Sequence, residues 1–411
     1  MRRISFEPWA VQYHRLGGRD MRQIKKEPLD SRYENGALLT AGWVDQAIGE
    51  ARARIDRLLP RFSDTFPGAS TVHGRYQPVE KVDWTEGFWT GMLWLLYEAA
   101  GDAKYREAAE RFLPKFRERL DRKIKVNTHD LGFLYSLSCV SACRLTGNEA
   151  ARQTALAAAE ILYDRYNETA GIIQAWGDLN DPTKQGRMII DCNLNLPLLF
   201  WAGGETGREA YIHAARTHLD RAMEYLVRED ASTYHTYFMD VHTGKALRGT
   251  THQGYADDSC WARGQAWAIL GFALNYRRYR NRELLETAKK TACYFLNRLP
   301  EDYVCYWDLI FGPEDGQYRD TSAAAIAACG LLELLREMPL ADPERRGVEY
   351  AVCAIMESLR THYLTRDEDG ILLHGLYNYG RGMGIDESNL WGDYYYLEAL
   401  VRMKQVWEPY W

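Results

Sequence analysis

Apolar residues recur at helical spacing along nearly every long segment after residue 40, and strand-like alternation is scarce. Two kinds of segment alternate. The first is rich in aromatic residues, Gly and Ala, and comprises residues 86–100, 130–145, 191–202, 261–276, 320–335 and 390–403. The second is charged and amphipathic, and comprises residues 44–62, 105–120, 149–166, 208–227, 282–299 and 343–361. Gly101 and Gly147 predict helix ends at two of the joints.

This alternation predicts how the helices pack. A helix that is apolar all round belongs inside a protein, whereas a helix with one charged face belongs on its surface. Six such pairs predict an all-α fold, an (α/α)6 barrel of twelve helices. We expect residues 1–411 to form one catalytic domain, with residues 1–40 as an N-terminal arm. An open helical solenoid is the alternative, but the repeat spacing, between about 44 and 70 residues, is too uneven for a regular array.

Composition narrows the functional class. The chain has 51 Lys and Arg against 57 Asp and Glu, a formal net charge of −6, without a basic block, which argues against nucleic acid as a partner. No apolar run approaches the ~20 residues of a membrane span, and the opening residues lack the apolar core of a secretion signal. We therefore expect a cytoplasmic protein that does not bind membranes. The eight cysteines form no CxxC pair and are predicted to be buried free thiols.

Aromatic residues make up 13% of the chain, which suits either a sugar-stacking site or a helical core. Acidic residues stand at or before several starts of the apolar helices: Glu86, Asp130, Asp191, Asp257, Asp258 and Asp320. They could simply cap helices. If the inner helices run parallel, however, these starts meet at one mouth of the barrel and predict an acidic pocket with an aromatic rim.

Two of these acids are the strongest candidates for chemistry, because nucleotide-binding, zinc-protease and serine-hydrolase motifs are absent from the sequence. Asp191 follows Met-Ile-Ile, so burial should raise its pKa toward the range of a general acid near neutral pH. A second carboxylate, Asp130, would reinforce that shift. Spacing alone does not bring the two together; the barrel arrangement does.

Three motifs carry a resemblance to a known family: HDLGF at 129–133, IDCNL at 190–194 and HQGYADDSCWARGQAW at 252–267. They closely resemble the unsaturated glucuronyl hydrolases of glycoside hydrolase family 88. The similarity runs from Trp84 to the last inner helix, where WGDY at 391–394 also fits. Related enzymes that act on unsaturated rhamnogalacturonan share the outline, but residues 254–267 favour the glucuronyl branch.

The resemblance implies a reaction. Enzymes of this family remove the 4,5-unsaturated uronic acid from the non-reducing end of fragments left by polysaccharide lyases. C4 of the vinyl ether is protonated, water adds at C5, and the resulting hemiketal opens to release the neighbouring sugar and a keto acid. Asp191 would be the general acid and base, and Asp130 would hold the acid's proton and shape the charge of the site. No metal and no cofactor are implied.

The resemblance also implies residues that bind the substrate, expected to be an unsaturated disaccharide from glycosaminoglycans. Trp84 and Trp176 would pack on the sugar rings, and His235 and Gln253 would contact the uronate and its hydroxyls. Each has a structural alternative, such as core packing for the aromatic rings or a satisfied buried site for the histidine.

Three further positions are candidates for the site. Trp261 starts an inner helix and could contact the sugar or pack in the core, whereas Trp89, Trp94 and Trp267 are assigned to the core. Arg263 could sense the anionic substrate or form a salt bridge to Asp257 or Asp258. Arg381 lies in a Gly-rich loop at 377–384 that could be a simple turn or could reach over the mouth, where it would contact a substituent of the second sugar.

Competing functions remain open. An inverting glycosidase on the same barrel would hold its two carboxylates ~6.5–9.5 Å apart. A sugar epimerase would use paired histidines, and His235 lacks an obvious partner in the sequence. A helical scaffold would expose a large apolar surface instead. We expect a monomer or a weak homodimer.

Overall fold

A computed structural model describes residues 23–79 and 81–411 of the chain. Most of the arm predicted for residues 1–40 lies outside the described residues, since these begin at residue 23. Residues 34–40 lead from a short 3-10 turn at Ser31–Tyr33 into the first helix. No helix in the described ranges has the length and apolar character that crossing a membrane requires.

The described residues form fourteen α-helices. In chain order they are α1 (Ala41–Leu58), α2 (Glu86–Ala100), α3 (Ala103–Glu110), α4 (Leu113–Asp121), α5 (Leu131–Tyr135), α6 (Ser141–Thr146), α7 (Glu149–Tyr163), α8 (Leu196–Thr206), α9 (Glu209–Arg221), α10 (Ala262–Tyr279), α11 (Arg282–Leu296), α12 (Thr321–Glu337), α13 (Arg345–His362) and α14 (Leu390–Lys404).

Two interruptions reduce these to twelve helical rods. Pro114 stands in the first turn of α4, where its missing N–H and its ring break the α3–α4 rod. A π-helical turn at Ser136–Val140 joins α5 to α6. Gly101 and Gly147 end α2 and α6 in the left-handed conformation, with φ of 66° and 69°, as their positions predicted.

Six rods form a closed inner ring. In order around the ring they are α2, α5 with α6, α8, α10, α12 and α14, and α14 packs against α2 to close it. The outer rods are α1, α3 with α4, α7, α9, α11 and α13. Since the first and last inner helices touch, the fold is the predicted (α/α)6 barrel, and the open solenoid is wrong.

Burial follows the sequence pattern. Trp89, Trp94 and Trp267 are at most 1% exposed, which confirms their assignment to the core. The eight cysteines are free, and all but Cys143 are buried. The buried apolar side chains of both rings join in one cluster. The organisation of the whole chain as one domain stays a prediction.

Seven short strands, which the sequence pattern did not reveal, lie in the connections: β1 (Tyr166–Asn167), β2 (Ile172–Ile173), β3 (Arg187–Ile189), β4 (Thr236–Met239), β5 (Ala246–Thr250), β6 (Gly375–Asn378) and β7 (Met383–Glu387). They form an antiparallel β1–β2 pair, an antiparallel β3–β4–β5 sheet and a β6–β7 hairpin. β3 pairs Ile189 with Thr236, so the residues that follow β3 lie beside the residues that precede β4.

Candidate active site

Asp130 and Asp191 meet at the barrel mouth. Asp130 immediately precedes α5, and Asp191 lies in the 3-10 turn at Ile190–Leu194 that leads into α8. One carboxylate oxygen of each lies within 4.8 Å of the other. The two side chains remain 14% and 19% exposed. The pair that the barrel arrangement predicted is therefore present and open to a substrate.

His129 lies between the two carboxylates, a position that the sequence interpretation did not assign. Its Nε2 is 3.4 Å from Asp130 Oδ1 and 3.4 Å from Asp191 Oδ1. Burial lowers its pKa to about 3, and the positive charge of Arg165 adds to this, so the ring is neutral at ordinary pH. Its place in the HDLGF motif, directly before Asp130, was the signal that could have identified it.

The two acids share an environment that favours a retained proton. Burial raises the pKa of Asp130 to about 6, partly opposed by Thr128, whose hydroxyl donates a 2.6 Å hydrogen bond to Oδ2. Burial raises the pKa of Asp191 well above its ordinary value, and the neighbouring Asp130 charge raises it further. No hydrogen bond from the described residues reaches Asp191 Oδ1. Near neutral pH this pair can hold one proton and one negative charge.

The same three side chains bear on the question of a metal. Ligand atoms of His129, Asp130 and Asp191 lie within 4.8 Å of one another, a spacing that a cation could bridge. Absence of a metal remains a prediction, as does absence of any other cofactor.

Activity after treatment with a chelator tests the prediction that the site needs no metal. We expect a chelator to leave turnover unchanged, because the proton of the carboxylate pair supplies the chemistry. A thiol-blocking reagent should also have no effect under native conditions, because burial raises the pKa of Cys192, the cysteine next to Asp191. Activity is assayed before and after each treatment. Loss on chelation that one added metal restores would contradict the metal-free site.

An aromatic cluster borders Asp130 on the α2 side. Trp84, half-buried, packs against Phe133 at 5.4 Å and Trp391 at 5.1 Å between ring centroids. Its Nε1 donates a 2.9 Å hydrogen bond to the Tyr377 hydroxyl, which fixes the indole in place. Trp84 thus lies just before α2, and its contact with the sugar remains a prediction. Tyr377 is an aromatic neighbour that the sequence interpretation did not assign to the site.

A second aromatic wall includes Trp176. Residues 127–129 run antiparallel to residues 175–177: His129 N donates to Ala175 O at 2.6 Å, and Gly177 N donates to Asn127 O at 3.2 Å. This pairing brings half-buried Trp176 beside the carboxylate pair. The Arg187 guanidinium lies 4.0 Å from the Trp176 ring centre and supports the ring by a cation–π contact.

His235 reaches the site through the β3–β4 pairing. Its carbonyl accepts a 3.1 Å hydrogen bond from Ile190 N, next to Asp191, and its ring is buried. The ring stacks on His252 at 5.7 Å, and His252 in turn contacts Trp176 at 5.3 Å. His235 thus has a histidine neighbour that was not obvious from the sequence, because the sheet brings the two rings close.

Arg263 is paired differently from the expected salt bridge to Asp257 or Asp258. Its buried guanidinium donates a 2.8 Å hydrogen bond to Asp320 at the start of α12. It also donates to the carbonyls of Leu376 and Tyr377 and, at 2.9 Å, to Gln253 Oε1. Half-buried Gln253 thus lies on the mouth side of Arg263, which fixes its amide by this hydrogen bond. Direct contact between Arg263 and the substrate remains a prediction.

The remaining predicted positions also lie at this end of the barrel. Trp261 is 3% exposed and stands between the His235 ring, 4.8 Å away, and the Arg263 guanidinium, 4.6 Å from its ring centre. Arg381 occupies the turn between β6 and β7, where its Nη2 lies 3.3 Å from His252 Nε2. Arg381 is exposed and reaches toward the mouth.

Fewer acidic residues face each other at the mouth than the sequence predicted. Glu86 is buried against Arg119, and Asp320 is neutralised by Arg263. Asp257 and Asp258 are exposed in the turn before α10, where the Asp257 carboxylate accepts a hydrogen bond from Thr251 N. Asp130 and Asp191 are left as the acids of this set that face each other.

A further buried acid shows that a raised pKa is not sufficient to identify the catalytic group. Burial raises the pKa of Asp393, in the WGDY motif, to about 7. Its carboxylate accepts hydrogen bonds from Ile371 N, Leu372 N and the Tyr76 hydroxyl, at 2.8–3.0 Å. Because these donors satisfy it inside the protein, Asp393 holds loops together.

Comparison with known proteins agrees with this geometry. The sequence model of Glycosyl Hydrolase Family 88 matches residues 55–409. The chain belongs to this family. An unsaturated glucuronyl hydrolase of Bacillus sp. (strain GL1) is 48% identical over 369 residues, which cover 89% of this chain and 98% of the relative. An unsaturated chondroitin disaccharide hydrolase of Streptococcus pneumoniae is 42% identical, covering 94% and 98%. The resemblance inferred from the motifs is confirmed, and the protein is a glycoside hydrolase.

Solved structures agree in fold. The crystal structure of unsaturated glucuronyl hydrolase from Streptococcus agalactiae superposes with a TM-score of 0.93 at 42% identity, over 96% of this chain and 100% of that one. A variant of that enzyme, with an aspartate replaced by asparagine, was solved in complex with dGlcA-GalNAc6S; it matches with a TM-score of 0.86 at 39% identity over 96% and 100% of the two chains.

Proposed function

We propose that this protein is an unsaturated glucuronyl hydrolase that removes the 4,5-unsaturated uronic acid from glycosaminoglycan disaccharides by hydrating the vinyl ether. The observation that carries the proposal is the facing carboxylate pair, Asp130 and Asp191, with raised pKa and with His129 between them. Family membership and the named relatives support the same reaction.

The pair has the properties that the chemistry requires. A vinyl ether is activated by protonation at carbon, so one group must hold a proton near neutral pH. Asp191 delivers that proton to C4 and then, as the base, takes a proton from the water that adds at C5. The ionised Asp130 stabilises the positive charge that develops at C5 and the ring oxygen. The hemiketal formed at C5 opens and releases the neighbouring sugar and the keto acid.

The surrounding side chains bind the sugar. Trp84 and Trp176 pack on the ring faces, and His235 and Gln253 contact the uronate and its hydroxyls. Trp261 packs edge-to-face against the His235 ring, with 4.8 Å between the ring centres. Arg263 orients the Gln253 amide by hydrogen bonding and contributes positive charge beside Asp191. Arg263 is the charged member of this set, in a chain of net negative charge.

The geometry disfavours an inverting glycosidase on the same barrel. Such an enzyme needs room for a water between its carboxylates, typically ~6.5–9.5 Å. One oxygen of Asp130 and one oxygen of Asp191 lie within 4.8 Å of each other, a shorter approach than that range. The named relatives give an epimerase no support, and a scaffold makes no demand on either aspartate.

The deciding experiment offers the protein unsaturated disaccharides from several lyase digests and follows the ultraviolet absorbance of the conjugated double bond. Hydration abolishes the absorbance, whereas ordinary glycosidic cleavage preserves it. Released sugar is measured in parallel. Sugar release with the absorbance intact would overturn the proposed reaction in favour of a conventional glycosidase, and no change in either would overturn enzymatic action on these substrates.

The proposal extends to the setting of the enzyme. We propose that it acts in the cytoplasm as a monomer or weak homodimer on disaccharides, without nucleic acid or membrane partners. We also propose that residues 1–411 form a single catalytic domain, with residues 1–40 as its N-terminal arm. Size-exclusion chromatography with light scattering measures the oligomeric state, and a stable higher oligomer would contradict this part.

Arg381 gives a prediction about sulfated substrates. Its turn is anchored by Tyr379, which stacks on Trp307 at 4.7 Å, and its guanidinium extends toward His252. We propose that it contacts an anionic substituent, such as a sulfate, on the second sugar. A charge-assisted bond is worth about 1.5–3 kcal/mol. Arg381→Ala should therefore lower kcat/KM for sulfated disaccharides roughly 10-fold to 150-fold, with little loss on unsulfated ones.

Arg57 provides the matched control for that measurement. It is an exposed arginine in the last turn of the outer helix α1. Arg57→Ala should leave the ratio of kcat/KM values for sulfated and unsulfated disaccharides unchanged. Equal losses on both substrates in Arg381→Ala, or no loss on either, would limit Arg381 to shaping the hairpin turn.

A further inference from the structure

The segment that carries His129 and Asp130 has no regular secondary structure before α5, yet its side chains must be held precisely enough for proton transfer. The segment also contains strain, since Lys123 and Lys125 adopt φ of 51° and 47°, in the left-handed region that non-glycine residues avoid. Interactions from neighbouring elements must hold it in place.

Arg119, in the outer helix α4, binds the beginning of this segment. Its Nε donates to Ile124 O and its Nη2 to Lys125 O, each at 3.1 Å. Its Nη1 donates to Asp83 O at 2.6 Å and to the Glu86 carboxylate at 3.0 Å. The side chain is buried and paired with Glu86, so one guanidinium ties together the backbone before Trp84 and the backbone before His129.

Arg165, just beyond the end of α7, binds the other end. Its Nη1 donates to Asn127 Oδ1, its Nη2 to Gly177 O at 3.1 Å and its Nε to Gln174 O at 2.8 Å. It therefore grips both strands of the short pairing that carries His129 and Trp176. Although Arg165 is only 3% exposed, no carboxylate oxygen in the described ranges lies within 4.0 Å of it.

We propose that Arg119 and Arg165 are positioning residues that hold residues 124–130 from two sides, and that Arg165 also brings a buried positive charge to the carboxylate pair. This inference rests on the proposed function, in which Asp130 stays ionised beside protonated Asp191. A buried cation with neutral hydrogen-bond partners is costly unless a nearby negative charge compensates it, and Asp130 is that charge.

The electrostatics agree with this geometry. The positive charges of Arg119 and Arg165 both lower the pKa of Asp130 against the larger effect of burial. Burial lowers the pKa of Arg165 to about 10, so it remains charged at neutral pH. The other charged or titratable groups that act on the pair, from the elements around it, are His129, Asp83, Cys192, Tyr377 and Arg263.

The test compares charge and geometry at one position. Arg165→Gln removes the charge, so the acid limb of the pH profile of kcat/KM should move up by at least about half a pH unit, because Asp130 becomes harder to ionise. Arg165→Lys keeps the charge but not the three-point grip; its acid limb should stay in place while kcat falls about tenfold or more, with little change in KM. The kcat of Arg119→Gln should also be lower than that of wild type.

Arg345→Gln is the control, because Arg345 likewise donates to backbone carbonyls, those of Leu335 and Met338 at the end of α12, but does not contact residues 124–130. It should keep wild-type kcat and pH profile. Hydrogen exchange of peptides over residues 123–131 gives a readout independent of turnover. Exchange there should quicken in Arg119→Gln and Arg165→Gln, and stay as in wild type in Arg345→Gln.

The proposal would be overturned if Arg165→Gln folds, keeps kcat/KM within about twofold of wild type and shows an unshifted pH profile. If Arg165→Gln does not fold, Arg165→Lys decides by the same kinetic criterion. If the wild-type protein hydrates none of the disaccharides, the proposed function has failed, and exchange over residues 123–131 still decides whether the two arginines hold the segment.

Discussion

Asp191→Asn should lose turnover by about 10²–10⁴-fold while the fold is kept, because the amide matches the carboxyl group in shape but cannot donate and recover a proton. The variant is assayed by the loss of double-bond absorbance with the unsaturated disaccharide that the wild type hydrates fastest. A residual rate above about a tenth of wild type would remove Asp191 from the role of general acid.

Asp191→Asn should also change stability, with a sign set by the pKa. Burial and the Asp130 charge raise the pKa of Asp191 in the folded state above its unfolded value, so its favourable contribution is lost as pH rises through the folded pKa. Asparagine has no such loss. The Tm of the variant relative to wild type should therefore be higher at pH 8 than at pH 5. An equal Tm difference at both values would show that Asp191 is not the group with the raised pKa.

The fold was largely predictable because its signal is local. Each inner rod is apolar on nearly every face, and each outer rod has one charged face, so the ring assignment can be read from single segments. Left-handed glycines such as Gly101 mark helix ends in the same local way. The short strands were not predictable. β3 and β4 pair only three residues, and their pairing depends on the barrel holding distant loops together.

The same difference between local and long-range signals decides which parts of the site could be predicted. Asp130 and Asp191 could be proposed because each stands in a motif at the start of an inner helix. The partner of Arg263 could not, because Asp320 is 57 residues away and comes close only when α10 and α12 pack side by side. The contact between His252 and His235 could not be predicted for a similar reason, because it forms only when β4 and β5 pair and bring the two rings together.

Asp130→Asn should be severely impaired and should also change the pH dependence. The negative charge of Asp130 raises the pKa of Asp191, so removing it should lower that pKa. The proton that Asp191 needs for catalysis is then lost at lower pH, and the alkaline limb of kcat/KM should move downward. We expect kcat to fall about tenfold or more, because the negative charge that stabilises the developing positive charge is lost. The measurement is a pH profile of kcat/KM for both proteins.

Asp220→Asn is the matched control for that profile. Burial raises the pKa of Asp220 to about 6, close to that of Asp130, but Asp220 lies on the outer helix α9 and accepts a 2.9 Å hydrogen bond from the Tyr279 hydroxyl. Because it does not face Asp191, its substitution should leave the alkaline limb in place. An alkaline limb that stays fixed in Asp130→Asn, or moves upward, would mean that the two carboxylates do not titrate as a coupled pair, and Asp191 would then owe its proton to burial alone.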